Sequence, residues 1–195
     1  IRVLANVSAY TLAAYTLNGG NAASVDTEPK TTAGDYQISG GGGIGLYNNR
    51  YFRGSETAAT NHTDLAGALA ANDYDSIIVT IPGTACVFPE FFCYDYLCEN
   101  GCPTSVTYLL HDDEGDGFDV GDVIGSVSIN GESGELVAKT GNFISLKALG
   151  MLTNTNLELR LYYADDSNVD QHIQRVDNVC ISGTFAPGGT IIMVH

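Results

Sequence analysis

Six carboxylates fall within eleven positions in the run His111-Asp112-Asp113-Glu114-Gly115-Asp116-Gly117-Phe118-Asp119-Val120-Gly121-Asp122. Calcium takes about six to eight oxygen ligands, and a glycine-rich loop can fold carboxylates and backbone carbonyls around one ion. Asp112, Asp113, Asp116, Asp119 and Asp122 are therefore candidate calcium ligands. A second acidic set, Asp165, Asp166, Asp170 and Asp177, adds Asp177 to the candidates. The run is not an EF-hand, because the D-x-D-x-D-G opening and the bidentate Glu that closes such loops are missing. The alternative is a solvated acidic hairpin loop that binds nothing.

Other chemistry is poorly supplied. Glycoside hydrolysis needs two carboxylates about 5–10 Å apart across a cleft, one with a raised pKa. So acidic a chain provides pairs by chance, and none is marked out by its neighbours. G-x-S-x-G, the serine-nucleophile pattern, is absent. His62, His111, His172 and His195 are scattered singly, with no H-E-x-x-H. Gly40 to Gly43 lacks the Lys-Ser/Thr ending of a phosphate loop and reads as a bend. The expectation is a non-enzymatic protein.

Cysteines stand at 86, 93, 98, 102 and 180. The intervening gaps of six, four and three residues match no pair of zinc knuckles. Cys86, Cys93, Cys98 and Cys102 are disulfide candidates in an extracellular loop, with connectivity open. Cys180, in the apolar run Val179-Cys180-Ile181, fits a buried thiol. The sequons at Asn6 and Asn61 are glycosylation candidates and agree with secretion. The chain opens on Ile with no basic n-region before it, which reads as a mature product freed of its leader.

The elements that must position these residues are strands. Leu157, Leu159 and Leu161 alternate with polar residues, as do Val79 and Ile81 with Thr80, between turn clusters. Asn130-Gly131 predicts a hairpin between the Val127-Ile129 strand and the strand at Leu136-Val137. Leu65 to Ala71 predicts one short helix. Length, 195 residues, suits a single β-rich domain, and 23 glycines punctuate it at the spacing of a sandwich. The net charge of −15 repels phosphate backbones and anionic membranes, so nucleic acid and membrane partners are excluded.

Ala71-Asn72-Asp73-Tyr74-Asp75-Ser76-Ile77-Ile78-Val79-Thr80 resembles the strand entry of bacterial extracellular jelly-roll modules of the concanavalin and carbohydrate-binding-module kind. Leu157 to Tyr162 and Arg175-Val176-Asp177-Asn178-Val179-Cys180-Ile181-Ser182-Gly183 resemble their closing strands. The resemblance spans residues 35–185 and implies an all-β, antiparallel jelly-roll β-sandwich, with a structural calcium ligand near Asp177. Against that pattern, residues 86–102 read as a cysteine-rich insertion within a sandwich over 18–186.

The termini suggest the function. Residues 1–17 and 187–195 are apolar, and free strands of that kind must be covered or paired. One reading is a secreted, cell-surface filament subunit, a homopolymer joined by strand donation and stiffened by calcium. Val3, Ala5 and Val7, or Ile191 and Met193, would then enter a neighbour's core. The alternative is a secreted carbohydrate-binding or adhesive sandwich that folds its termini back as its own edge strands and binds surface glycans. No Trp is present, so stacking on sugars would fall to tyrosines such as Tyr47, Tyr51, Tyr162 and Tyr163.

Overall fold

The computed structural model describes residues 9–17, 21–26, 28–39, 44–47, 50–53, 62–99, 104–130, 137–165 and 173–186. Twelve strands are present among them: β1 (Tyr10–Tyr15), β2 (Thr32–Ala33), β3 (Gln37–Ser39), β4 (Ile44–Tyr47), β5 (Arg50–Arg53), β6 (Tyr74–Ile81), β7 (Val87–Glu99), β8 (Thr104–Leu110), β9 (Val123–Asn130), β10 (Val137–Ser145), β11 (Thr155–Asp165) and β12 (Ile173–Phe185). They form two sheets. The back sheet runs β10-β7-β12-β5-β4, with β1 also on β12; the front sheet runs β2-β6-β11-β8-β9, with β3 also on β6.

The pairing is nested. β5 pairs with β12, β6 with β11, β7 with β10 and β8 with β9, all antiparallel. The chain from β5 to β12 is thus one long ribbon that reverses between β8 and β9. Successive pairs alternate between the sheets, which is the wrapping of a jelly roll. The protein is an all-β jelly-roll sandwich.

The alternation in the sequence decides what each sheet buries. Ile77, Val79 and Ile81 of β6 and Leu157, Leu159 and Leu161 of β11 point inward. They meet Phe92, Tyr94 and Tyr96 of β7 and Val176, Val179 and Ile181 of β12 in one continuous core. Two close approaches fix the spacing. A Cβ on Gly125 would collide with Ile144 Cγ2, and one on Gly183 would lie 2.8 Å from Leu12 Cδ1 and 2.9 Å from the Phe88 carbonyl oxygen.

Three expectations are corrected here. Asn130-Gly131 does not join a hairpin: β9 pairs with β8 and β10 with β7, so the chain crosses between sheets there. The described part of 86–102 does not form an inserted loop, since Val87–Glu99 is a thirteen-residue strand between β10 and β12 in the back sheet. Its rise of about 3.3 Å per residue sets Cys86, Cys93 and Cys98 far too far apart to bond to one another. Finally, β1 pairs with β12 of its own chain, and Leu12, Ala13, Tyr15 and Leu17 are buried in the shared core. The described part of the N-terminal segment is therefore an edge strand of this sandwich. Val3, Ala5, Val7, Ile191, Met193, Asn6, Asn61 and Cys102 lie outside the described residues.

Candidate functional site

A groove of about 780 Å³ opens on the outer face of the front sheet. Its floor is the outward row of β11, Glu158, Arg160 and Tyr162, and its walls are helix α1 (Leu65–Ala70) with Asn72 on one side and residues 112–119 on the other.

Local rules build both walls. Asp64 caps α1 by accepting a hydrogen bond from the Gly67 amide at 2.8 Å, and the alanine-rich turn that follows favours helix. Asn72 ends the helix with φ 52°, a left-handed conformation that asparagine tolerates. Leu65 and Ala68 pack onto Leu110 and Tyr162, making a second, smaller core on the outside of the sheet.

The acidic run is folded around its own first carboxylate. Asp112 accepts hydrogen bonds from the amides of Gly115 (2.6 Å) and Gly117 (2.9 Å), whose φ angles of 76° and 109° suit glycine. The Gly115 amide foremost holds the Asp112 carboxyl below its ordinary value; desolvation opposes it, and the amides of Gly117, Asp116 and Glu114 add to the lowering. Asp119 accepts from Gly121 at 2.5 Å, and Asp122 accepts from the Asp119 amide at 2.8 Å, a reciprocal capping box. His111 closes the base of the loop, its amide donating to Asp122 O (3.0 Å) while its ring Nδ1 lies 3.0 Å from Glu158 O.

Phe118, delivered by this loop, packs against the outer core and over Arg160. The guanidinium carbon sits 3.9 Å from the Phe118 ring centre and 4.1 Å from that of Tyr74. Arg160 Nε donates to Glu158 Oε1 at 2.7 Å. Partial burial alone would weaken its charge, but bonds to Glu158 and Tyr162 outweigh that and hold the guanidinium above its ordinary pKa. Tyr162 in turn is raised, by burial first, with Arg160 opposing. The result is a cation clasped by two rings, in a groove whose lining carries the carboxylates of Asp112, Asp116, Asp119 and Glu158.

The predicted site residues divide. Asp112, Asp116 and Asp119 line the groove, whereas Asp113 and Asp122 do not. Asp177 lies on the other sheet, directly across from Asp95, and supports a bulge in β12: its carboxylate accepts from the Asn178 amide at 2.8 Å, and the Asn178 side chain donates to Asp95. Asp177 and the acidic run are thus not brought together. Among the described residues no three His, Cys, Asp or Glu side chains converge as metal ligands do. Tyr162 joins the groove floor, while Tyr163 faces the core, donating to buried Asp75 at 2.5 Å and stacking on Tyr96. Arg160, Glu158, Tyr74, Phe118 and Asn72 escape a sequence search. Arg160 and Glu158 look like ordinary outward residues of an alternating strand.

No family model matches the chain, and no curated protein matches it. Solved structures do. The CBM22-1–GH10 modules of the Clostridium thermocellum N-terminal endo-1,4-beta-D-xylanase 10B, complexed with xylohexaose, share 14% identity over 95% of this chain with a TM-score of 0.33; the match spans 30% of that longer chain. The K3 cleaved adhesin domain of Lys-gingipain from Porphyromonas gingivalis shares 7% identity, covers 90% of this chain and 99% of that one, and scores 0.38. A family 11 carbohydrate-binding module from Clostridium thermocellum, in complex with a mixed-linked tetrasaccharide, shares 12% identity, covers 89% and 96%, and scores 0.34.

Proposed function

We propose that the protein is a secreted, non-catalytic module that binds neutral glycans in the groove over β11. The carrying observation is the Arg160 guanidinium, fixed between Tyr74 and Phe118 and paired with Glu158 on a floor rimmed by Asp112, Asp116, Asp119 and Asn72. A sugar presents many hydroxyls that both donate and accept. Carboxylate oxygens and the asparagine carbonyl take its hydrogens, and the arginine and asparagine N–H groups serve its oxygens. The rim carries more negative than positive charge, which disfavours uronates, sulfated sugars and phosphates. Because the rings already clasp the arginine, recognition rests on hydrogen bonds along the groove. A site open to bulk water and without a Trp platform gives modest affinity, which suits a module that holds onto a polymer through repeated contacts.

Gel retardation on neutral polysaccharides, alongside polygalacturonate, tests this directly. Retardation by a neutral polymer that disappears in Arg160→Ala supports the proposal. Equal mobility on every neutral polymer, or retardation unchanged in Arg160→Ala, refutes it.

A further inference from the structure

We propose that Cys93 and Cys180 are partners in a disulfide that staples β7 to β12 through the middle of the back sheet. The two residues are direct cross-strand neighbours in an antiparallel pair. Residues so placed have Cα atoms about 4.5–5.5 Å apart, inside the window of about 4.4–6.8 Å that a disulfide spans. Their side chains share a face. Phe92 and Tyr94 flank Cys93 and enter the core, as do Val179 and Ile181 flanking Cys180, so both thiols stand on the outer surface of the sheet. They are close enough to influence each other. Burial first, and then Cys93, raises the Cys180 thiol, with a bond to Thr11 opposing.

The same strand geometry removes the competitors. Cys86 and Cys98 lie seven and five residues from Cys93 along one extended path, far beyond disulfide reach at about 3.3 Å per residue. Cys180 is the cysteine that the register delivers. The row it completes runs Phe143, Cys93, Cys180, Ala14 across β10, β7, β12 and β1. A bond there would join the two central strands just where β1 docks.

The bond forms by thiol–disulfide exchange with a small-molecule or protein disulfide as oxidant. One thiolate attacks a sulfur of the oxidant, giving a mixed disulfide and releasing one oxidant thiol. The second thiolate then attacks the protein sulfur of the mixed disulfide, forming the Cys93–Cys180 bond and releasing the other oxidant thiol. The two protein thiols lose two electrons to the oxidant, and their two protons end on the released thiols. Both thiols sit above their ordinary pKa because of burial, so exchange is slow near neutral pH without a catalyst.

The test uses the full chain, incubated folded in a reduced/oxidised glutathione buffer, with free thiols then alkylated and the protein digested without reduction. Mass spectrometry is expected to find the Cys93 and Cys180 peptides joined, two hydrogens lighter than their sum. Oxidised protein should also melt roughly 5–10 °C above reduced protein, a gain absent from the Cys93→Ser/Cys180→Ser double variant. Alkylation of both cysteines after oxidation would overturn the proposal. So would Cys93 joined to Cys86, Cys98 or Cys102 while Cys180 stays free, or a redox-dependent gain in melting temperature that survives in the double variant.

Discussion

Arg160 is held from three directions: by Glu158 along its own strand, and by the faces of Tyr74 and Phe118 above and below. Arg160→Ala should lower neutral-glycan affinity about 10- to 100-fold, the worth of a hydrogen bond to a charged group, in isothermal titration. Arg160→Lys should recover little of it, because an ammonium cannot lie flat between two rings. Asp112 carries a different signature. Its pKa is depressed in the folded state by backbone amides, so its support for the loop is present above the ordinary carboxylate range and is lost as pH falls through the folded value. Amide exchange at Gly115 and Gly117 should therefore quicken on acidification, and Asp112→Asn should flatten that dependence. At the alkaline end the sign reverses. Tyr94, buried and bonded to Thr107, is pushed up to about 12. The stability it provides as a neutral phenol is complete below about pH 10, the unfolded value, and fades as pH rises towards 12. Melting curves of Tyr94→Phe should show less alkaline loss than wild type. Of these residues only Asp112 stands out in the sequence, because its partners are three and five positions away. Arg160 meets Tyr74 across a strand pair and Phe118 across a loop, and nothing local announces either contact.

Between elements, one tight constraint lies where β1 packs on β12. Gly183 has Leu12 on one side and the Phe88 carbonyl on the other, and an added methyl has no free direction. Gly183→Ala should destabilise the fold by about 1–3 kcal/mol, the usual cost of overpacking, measured as a drop in denaturant midpoint. Removing residues 1–17 should do more, since it strips Leu12, Ala13, Tyr15 and Leu17 from the core and bares the edge of β12. Light scattering should report aggregation of that variant and a monodisperse full-length chain; a well-behaved truncated monomer would contradict the role of β1. Strand periodicity made β6, β11 and the short helix legible in advance. The crossing after β9 was not, because Asn-Gly specifies a tight reversal but says nothing about which neighbour the next strand will choose. The cysteine spacing misled for a related reason. Clustering along the chain suggests a disulfide-bearing loop, whereas an extended path spreads Cys86, Cys93 and Cys98 over tens of ångströms.

Across the whole molecule, the net charge of −15 opposes the approach of polyanions, and among the described residues no helix is long and apolar enough to cross a membrane. The nested pairing has a further consequence, for the order of events during synthesis. β12 fills the slot between β7 on one side and β5 and β1 on the other, yet of these four it leaves the ribosome last. Until Phe185 has emerged, the back sheet is three pieces with open edges: β10-β7, β5-β4 and β1. A nascent chain arrested before Ile173 should be cut readily by protease, and one arrested well beyond Phe185 should resist. Folding by such a chain is expected to be a closing act rather than a progressive one, which would leave the polypeptide pliable enough until then to be threaded through a narrow pore.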